Sequence, residues 1–504
     1  MPRFTPAALF SDGAVLCRRK EIRVFGAAPD GLVLTATLTD ARGAVLSKGT
    51  APAQNGKFCV YLPPLEAQVG CALSITDGQD TLLFCDIAVG DVYLAGGQSN
   101  MELELQNADE GKKLYPTHAN AQVRYFNVPK RARWDEEAIA ANRAARWLPI
   151  APGTAKDMSA VAYFFAMKLQ PRLQIPIGII DCYWGGTSIT CWMDEDALQE
   201  TAEGQRYLSE YDARCQGVTM EAYIQAEKAF FDGLDVWAKK ADALKAVHPE
   251  YTTKELNAEI GPCPPWNPPA GPGSPFRPAG LFHTMLERVI PATLTGVLFY
   301  QGEEDSWRTE RYDILLSSFI ARLRALFMDG ELPFLNVQLP MWIDGAAESD
   351  SKLWPRLRQA QQTVYRATRN SGLAVLLDQG EFDNIHPTNK RVVGERLYEC
   401  ALDAVYHLPA RLSPFALSKA VKDGVMRVRL SAPVLDRGQG DTLMELAGTD
   451  GCFHPAFVQL EGDALLLSSA AVPHPVSARY AWTDYAIVRF FGENGLPLAP
   501  FVLN

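Results

Sequence analysis

The sequence lacks the marks of a secreted, membrane-spanning or nucleic-acid-binding protein. Its N-terminus has no charged segment followed by an apolar core and small residues, so we expect no secretory signal and a cytoplasmic location. No apolar run of about 20 residues occurs, so we expect no transmembrane helix and no membrane partner. The formal net charge of -11 argues against nucleic acid as a partner, because phosphate binding requires a basic surface.

The sequence also lacks paired cysteines. Its 10 cysteines lie singly, without a C-x-x-C pair or a Cys/His cluster of zinc-binding spacing. These spacings give no sign of a zinc site, and we expect most thiols to be buried small side chains in a reducing compartment. We also expect no other metal and no cofactor. The even number of cysteines leaves disulfides open as the less favoured alternative.

The length of 504 residues predicts about three domains, at roughly 150 residues per domain. Residues 1–88 contain alternating runs such as "LVLTATLTDARG" and predict an N-terminal β-sandwich-like domain. Residues 89–408 alternate apolar strands with helical patterns, which predicts an α/β domain whose parallel sheet is covered on both faces. Residues 409–504 return to alternating runs such as "VMRVRLS" and predict a C-terminal β-domain.

The middle domain is predicted to contain six strands with helices between them. Ser159 is expected to cap a helix that carries Val161, Phe164, Phe165 and Leu169 on its apolar side. The strands are expected at Asp91–Ala95, Val123–Val128, Ile177–Cys182, Gly296–Tyr300, Phe334–Leu339 and Leu373–Leu377.

An insertion is predicted at about residues 200–280 of the middle domain. A charged helical segment around Glu221–Lys245 leads into a stretch with eight prolines between Pro262 and Pro278, through which no helix can continue. One interpretation is a lid or wall of a substrate cleft, with Trp266 or Phe276 reaching in. The other is a rigid surface connector.

Four of the predicted strands end in groups that can carry chemistry. Ser99 follows Gly96 and Gly97, and two later strands lead into "WGGTS" and "QGEED". The last strand leads into a loop that bears Asp383 and His386. Because the carboxyl ends of parallel strands meet at one edge of the sheet, we expect these segments to lie together.

These residue types suit acyl transfer. A serine hydroxyl becomes a nucleophile when a base removes its proton and a carboxylate orients that base. Asp383 and His386 lie three positions apart on one loop, which allows the carboxylate to accept from the imidazole. Glycine N–H groups at a strand end suit an oxyanion hole. Ser99 is alternatively a turn residue and helix cap, and Met101 breaks the G-x-S-x-G pattern of α/β-hydrolases.

The motifs "GGQSNM", "WGGTS", "YQGEED" and "DNIHPTNK" resemble, in this order, sequence blocks of the sialate O-acetylesterase family of SGNH hydrolases. The likeness extends over nearly the whole chain. It implies an α/β fold with a three-layer, flavodoxin-like parallel sheet of SGNH-hydrolase type and flanking antiparallel β-domains. It also implies metal-free removal of acetyl groups from an acetylated mono- or oligosaccharide through an acetyl-enzyme.

The resemblance also implies roles for individual residues. Ser99 is the implied nucleophile, His386 the general base and Asp383 its orienting carboxylate. The implied oxyanion donors are the backbone N–H groups of Ser99 and Gly186, with the side-chain amide of Gln301 as the third. The residues implied in substrate binding are Gln98, Asn100, Trp184, Glu303, Asp305 and Trp307.

Glu304 departs from the family pattern, in which the third block usually is Q-G-E-S-N or Q-G-E-S-D. The asparagine that many SGNH enzymes use for the oxyanion is therefore missing, and Gln301 is preferred as the uncharged donor nearest the strand end. Glu303 and Asp305 are expected to organise the pocket through hydrogen bonds. The alternative is that Glu303 and Asp305 are solvated acids of an exposed loop.

The sequence does not decide whether the acetylated sugar is a sialic acid or a neutral plant oligosaccharide. A sialic acid carboxylate would be matched by a cation such as Arg308 or Arg311. Neutral sugars would stack on aromatic side chains, and the net acidic charge favours them. Candidate aromatic platforms are Trp184, Trp192, Trp266 and Trp307.

Two functions other than carbohydrate deacetylation stay open. One is a non-catalytic carbohydrate-binding scaffold, and the other is an esterase for a non-carbohydrate acyl ester. The flanking β-domains could also supply the interface of a homo-oligomer.

Overall fold

The computed structural model describes residues 2–504, and strands at both ends of the chain enclose a mixed α/β middle. The N-terminal strands are β1 (Thr5–Pro6), β2 (Val15–Cys17), β3 (Ile22–Ala27), β4 (Val33–Thr39), β5 (Val45–Pro52), β6 (Lys57–Leu62), β7 (Gln68–Thr76) and β8 (Thr81–Gly97). The middle strands are β9 (Asn120–Asn127), β10 (Trp147–Ile150), β11 (Ile177–Tyr183), β12 (Gly296–Tyr300), β13 (Phe334–Val337) and β14 (Ser371–Ala374).

Twelve α-helices lie in the middle of the described chain. They are α1 (Ser99–Glu102), α2 (Gly111–Leu114), α3 (Glu136–Ala144), α4 (Ala160–Leu173), α5 (Glu195–Gln199), α6 (Ala202–Cys215), α7 (Met220–Lys245), α8 (Thr253–Ile260), α9 (Gly280–Thr284), α10 (Tyr312–Leu326), α11 (Leu353–Ala367) and α12 (Lys390–Ala404). The C-terminal strands are β15 (Ala416–Lys422), β16 (Val425–Leu430), β17 (Val434–Asp436), β18 (Met444–Ala447), β19 (Phe453–Pro455), β20 (Phe457–Glu461), β21 (Ala464–Ser468), β22 (Ser477–Tyr480), β23 (Phe490–Gly492) and β24 (Phe501–Leu503).

The central sheet has the strand order β10-β9-β11-β8-β12-β13-β14, and all of these neighbours are parallel except β10 and β9. Strands β11, β12 and β13 are buried at every residue, which requires cover on both faces. Helices α4 and α12 pack against each other, as do α10 and α11. The predicted mixed α/β architecture is confirmed, and the strand predicted at Gly296–Tyr300 coincides with β12.

Strand β8 joins the N-terminal sheet to the central sheet. It pairs antiparallel with β7, then parallel with β2, and finally parallel with both β11 and β12. The predicted boundary between residues 88 and 89 falls inside this continuous strand, and the domain limits stay a prediction. Because Ser99 lies two positions beyond Gly97, the last residue of β8, the nucleophile candidate stands at the middle of the sheet.

Two hydrophobic cores stabilise the chain. The first is continuous from the N-terminal strands through the middle strands and helices. The second is formed by the C-terminal strands together with Met341, Leu373, Val375 and Leu377, which lie beyond β13 and around β14. The alternation predicted for "VMRVRLS" is confirmed, since Met426, Val428 and Leu430 are buried there and the residues between them are not.

The predicted insertion contains α6, α7 and α8. Within the described chain, residues 261–279 then run through the prolines without helix or strand and rejoin the main body at α9. None of the helices in residues 2–504 combines the length and the apolar character needed to cross a bilayer. Each of the 10 cysteines is a free thiol, and only half of them are buried, which is fewer than expected: Cys17, Cys71, Cys182, Cys191 and Cys400.

Ser159 caps α4 as predicted, and it also anchors the helix that begins with Ser99. Its Oγ accepts from Ala162 N at 3.2 Å and donates to the carbonyl of Met101 at 2.7 Å. Its own N–H donates to Asp181 Oδ2 at 3.1 Å, at the end of β11. One fully buried residue thus joins α4 and α1 through its side chain and the central sheet through its backbone N–H.

Ser159→Ala should lower the free energy of unfolding by about 2–3 kcal/mol, because it removes a cap and leaves a buried carbonyl unpaired. The matched control is Thr219→Ala, which removes the exposed cap of α7, where Thr219 accepts from Ala222 N at 3.2 Å. This control should cost about 1 kcal/mol or less. Urea unfolding measures both, and equal losses would show that the bond to Met101 contributes nothing.

Candidate active site

A cavity of about 830 Å³ lies where the segments after β8, β11 and β12 meet the loop that precedes α12. This is the edge at which parallel strands present their carboxyl ends. The residues that line the cavity are Gln98, Ser99, Glu102, Leu103, Glu104, Asn107, Lys130, Trp184, Gly185, Gly186, Trp266, Glu303, Glu304, Ile385 and His386. The structure therefore brings together members of all four strand-end motifs.

Ser99 and His386 form a hydrogen-bonded pair at the centre of this cavity. The Oγ of Ser99 lies 2.7 Å from Nε2 of His386, within the range required of a nucleophile and its base. Desolvation of the imidazole, and then the positive charge of Lys390, lower the pKa of His386 to about 4. The ring is therefore neutral at pH 7 and able to accept the proton of Ser99.

Two backbone N–H groups face the same space. Gly97 has φ +141°, and a Cβ there would lie 2.0 Å from the carbonyl oxygen of Tyr300, so only glycine allows the chain to turn into α1 at this point. After this turn the N–H groups of Ser99 and Gly186 make no hydrogen bond to any acceptor among residues 2–504. They are therefore available as donors, and their role in an oxyanion hole stays a prediction. The neighbouring N–H of Gly185 is instead held by Glu102 Oε2 at 2.5 Å.

Asn100 fixes the relative positions of the motifs rather than facing the cavity. Its fully buried side chain donates to Glu303 Oε1 at 2.5 Å and to the carbonyl of Ile385 at 2.9 Å. Its Oδ1 accepts from Lys390 Nζ at 2.5 Å. The predicted role of Asn100 in substrate binding is therefore corrected, because every polar atom of its side chain is engaged inside the protein.

Gln98 lines the cavity, whereas Gln301 lies beneath it. The Oε1 of Gln98 accepts from the N–H groups of Gly302 and Glu304, each at 3.2 Å, so it holds the turn after β12. The amide nitrogen of Gln301 donates to Asp305 at 2.5 Å and contacts Gln98 Oε1 at 3.2 Å, and the side chain is fully buried. The prediction of Gln301 as the third oxyanion donor is wrong, because its amide is consumed by these internal acceptors.

The two acids that flank Glu304 are buried structural groups. Asp305 accepts from Ser188 Oγ at 2.6 Å and from Ile189 N at 2.8 Å, which joins the turns after β11 and β12. Asp305 does not line the cavity, so the prediction that it contacts the substrate is corrected. Glu303 does reach the wall, and burial raises its pKa. Both acids organise the site through hydrogen bonds, and the alternative of solvated loop acids is wrong.

Asp383 does not contact His386. Its backbone has φ +62°, and its carboxylate accepts from the N–H of Gly345 at 2.6 Å and from that of Thr253 at the start of α8. Among the described residues, the imidazole of His386 makes a hydrogen bond to Ser99 alone. The predicted carboxylate–imidazole contact is therefore absent, because two backbone amides hold the carboxylate away from the ring.

Of the tryptophans considered as sugar platforms, Trp184 and Trp266 line the cavity. Trp266 comes from the proline-rich insertion and packs against Phe230, Phe231 and Phe276, which supports the interpretation of the insertion as a cleft wall. Trp307 is 56% exposed and lies outside the cavity, so its predicted role is corrected.

The arginines proposed for a sialic acid carboxylate also lie away from the cavity wall. The guanidinium of Arg308 stacks on Tyr207 and Trp307 and pairs with Glu210, and neither Arg308 nor Arg311 lines the cavity.

Several residues of the site carry no motif signal of their own and were missed. Lys130 lies 5.1 Å above the ring of Trp184 and forms an ion pair with Glu102. Glu104 also lines the wall. Lys390 lies four positions after His386, a spacing that could have suggested proximity, and burial lowers its pKa to about 7. In residues 2–504, no group of three or more His, Cys, Asp or Glu side chains is arranged to hold a metal ion.

Comparison with known proteins finds similarity to carbohydrate esterases and sialate O-acetylesterases. A family model described as "Carbohydrate esterase, sialic acid-specific acetylesterase" matches residues 266–403, which include Trp266, the turn after β12 and His386. A sialate O-acetylesterase from Rattus norvegicus is 26% identical over 76% of this chain and 70% of its own length. The chain is therefore similar to sialate O-acetylesterases over most of its length. Another sialate O-acetylesterase, from Mus musculus, is 24% identical over 95% of this chain and 90% of its own length.

Structural comparison agrees with this similarity. The crystal structure of a carbohydrate acetylesterase from Xanthomonas citri superposes with a TM-score of 0.76 and 27% sequence identity, covering 99% of each chain. The resemblance predicted from the four motifs is confirmed. Taken together, these similarities show that the chain is a carboxylic ester hydrolase.

Asp383→Asn should leave most of the esterase activity intact and reduce stability. Asparagine tolerates the left-handed backbone, but it offers one acceptor oxygen to the two amides that the carboxylate now holds. We expect a loss of about 1–3 kcal/mol in unfolding free energy, and a loss of kcat far below the ~10⁴-fold seen when a triad aspartate is replaced. Hydrolysis of an acetyl ester and urea unfolding measure the two effects. A loss of kcat equal to that of His386→Ala would contradict the geometry.

Proposed function

We propose that the chain is a serine-dependent carbohydrate O-acetylesterase that acts through an acetyl-enzyme. The observation that carries this proposal is the 2.7 Å contact between Ser99 Oγ and His386 Nε2 inside a cavity of about 830 Å³. The free N–H groups of Ser99 and Gly186 beside this pair support it further, because acyl transfer requires donors for the developing oxyanion. The names of the family and of its relatives support the acetylated sugar as the substrate.

In the proposed reaction, Ser99 Oγ attacks the carbonyl carbon of the acetyl ester while His386 Nε2 takes the hydroxyl proton. The tetrahedral intermediate places its negative oxygen at the two backbone N–H groups. The C–O bond to the sugar then breaks, and the sugar oxygen leaves with the proton from His386. Water attacks the acetyl-Ser99 ester, gives a proton to His386, and releases acetate as Ser99 regains its proton.

A neutral sugar is the proposed substrate in preference to a sialic acid. The cavity wall carries Glu102, Glu104, Glu303 and Glu304, and its only lysine, Lys130, is paired with Glu102. A sialic acid carboxylate would be desolvated beside these acids without a free cation to bind it. The aromatic rings of Trp184 and Trp266 instead suit the apolar faces of neutral sugar units.

The SGNH three-layer arrangement is proposed for the central sheet. The five parallel strands β11, β8, β12, β13 and β14 follow the flavodoxin-like order 2-1-3-4-5, with β9 added outside β11. Ligand binding at the carboxyl ends of these strands agrees with the position of the cavity. The flanking β-domains, the metal-free mechanism, the cytoplasmic location and a homo-oligomeric assembly stay predictions.

Ser99→Ala should abolish acetate release from acetylated sugars without unfolding the protein. His386→Ala should cause a comparable loss, and the double variant should lose no more than either single variant, because the two groups act as one unit. The substrates are O-acetylated sialic acid, acetylated xylo-oligosaccharides and acetylated manno-oligosaccharides. We expect higher kcat/KM on the neutral oligosaccharides, measured by enzymatic detection of acetate.

The matched control is Ser209→Ala on the exposed side of α6, which should release acetate at the wild-type rate. Full acetate release by a folded Ser99→Ala variant would overturn the serine mechanism. If the protein hydrolyses other esters but releases no acetate from any of these sugars, its substrate is a non-carbohydrate acyl ester. If a folded protein hydrolyses no ester at all, the carbohydrate-binding scaffold is favoured. Preference for the sialic acid would overturn the proposed neutral substrate alone.

A further inference from the structure

Among the three consecutive acids Glu303, Glu304 and Asp305, Glu304 is the one whose carboxyl group is not held by the neighbouring turns and has only the indole of Trp266 as a side-chain partner. The carboxylates of its neighbours Glu303 and Asp305 accept hydrogen bonds from Asn100 and Ser188 respectively. The backbone N–H of Glu304 donates to Oε1 of Gln98, the residue before Ser99, at 3.2 Å, and the side chain of Glu304 lines the same cavity as Ser99.

The side chain of Glu304 is connected to Gly186 through the ring of Trp266. Gly186 adopts φ +68°, and the ring of Trp266 fills the space beyond it, since a Cβ at Gly186 would lie 2.1 Å from Cζ2 of that ring. The indole of Trp266 also approaches the Glu304 carboxyl closely enough to favour its ionised form. The series Gly186, Trp266 and Glu304 is therefore contiguous and leads from one proposed oxyanion donor to this carboxyl group.

The acids around Glu304 disfavour a negative charge on its own carboxyl group. Glu102 and Glu104 face the same cavity, and Glu303 and Asp305 flank Glu304 in the chain. An ionised Glu304 would also repel the negative charge that develops on the ester oxygen during attack.

Around the Glu304 carboxyl group, no cation among the described residues is free to balance the negative charge of these acids. Lys130 is engaged by Glu102, Lys390 donates to Asn100, and His386 is neutral at pH 7. Desolvation, together with the nearby Asp305, raises the pKa of Glu304 to about 8. The carboxyl group is therefore suited to donate a hydrogen bond at neutral pH rather than to act as an anion.

We propose that Glu304 is a catalytic residue: its protonated carboxyl group donates a hydrogen bond to the carbonyl oxygen of the bound ester and completes the oxyanion hole with the N–H groups of Ser99 and Gly186. This inference rests on the proposed serine mechanism. Glu304, which departs from the family pattern, would then be the third oxyanion donor. The amide of Gln301 is buried and does not fill this role. No proton is transferred, because the O–H bond of Glu304 stays intact throughout.

The role predicts a specific dependence on pH. The active form of Glu304 is protonated, so kcat/KM falls as the pH rises through about 8. The active form of His386 is unprotonated, so kcat/KM falls as the pH drops toward about 4. The wild-type enzyme should therefore show a plateau between these values.

The test compares Glu304→Gln and Glu304→Ala across this range. Glutamine keeps an uncharged donor of the same length, so Glu304→Gln should keep most of the neutral-pH activity and lose the decline above pH ~8. Glu304→Ala should lose about 10²- to 10³-fold in kcat at neutral pH. The substrates are p-nitrophenyl acetate, which has no sugar, and acetylated xylo-oligosaccharides. An oxyanion donor predicts equal losses on both.

The matched control is Glu310→Gln, an exposed acid on the same segment, which should leave the pH profile unchanged. An unchanged alkaline decline in Glu304→Gln would overturn the proposal, as would a loss in Glu304→Ala confined to the sugar substrate, which would indicate a sugar contact. The dependence on Ser99 separates the two hypotheses. Loss of activity in Ser99→Ala with no effect at Glu304 would defeat only this inference, whereas an active Ser99→Ala variant would defeat the serine mechanism itself.

Discussion

The arrangement of the site depends on the buried side chain of Asn100. Its amide donates to Glu303 and to the carbonyl of Ile385, and its oxygen accepts from Lys390, so it joins the turn after β8, the turn after β12 and the loop before α12. A buried amide left without these partners would cost about 1–3 kcal/mol for each unpaired group, which strongly favours this one arrangement. The 2.7 Å contact between Ser99 and His386 follows from it, because each of these residues is adjacent in sequence to one end of the network.

The same cavity is assembled from elements that are far apart in the chain. Strand β8 begins in the N-terminal sheet and ends at the centre of the parallel sheet, which makes the N-terminal region part of the support of Ser99. The insertion contributes Trp266 to the wall, and it also holds the loop that carries His386, through the amide of Thr253 and the carboxylate of Asp383. A segment that interrupts the α/β pattern therefore shapes the cavity and restrains this loop.

Much of this organisation was predictable from the sequence, because strand periodicity shows which residues follow a strand and parallel strands share one functional edge. Ser99, His386 and the Gly186 turn were found in this way. Gln301, Asp305 and Asp383 were assigned to the correct edge but to the wrong partners. The direction of a side chain in a turn depends on the backbone angles and on acceptors contributed by distant segments, and no local pattern encodes these. The replacement of the expected serine by Glu304 was visible in the sequence, but its meaning required the surrounding acids and the cavity.

The central claim is that Ser99 is a nucleophile activated by His386, and covalent labelling tests it most directly. The active enzyme is treated with a small organophosphorus fluoride, which reacts irreversibly with activated serines, and the adduct is located by peptide mass spectrometry while acetyl-ester hydrolysis is followed in the same sample. The result we predict is a single adduct on Ser99 whose formation parallels the loss of activity and is slowed strongly by His386→Ala. An adduct on another residue that accounts for the loss, or an enzyme that stays fully active when Ser99 is labelled, would contradict the claim.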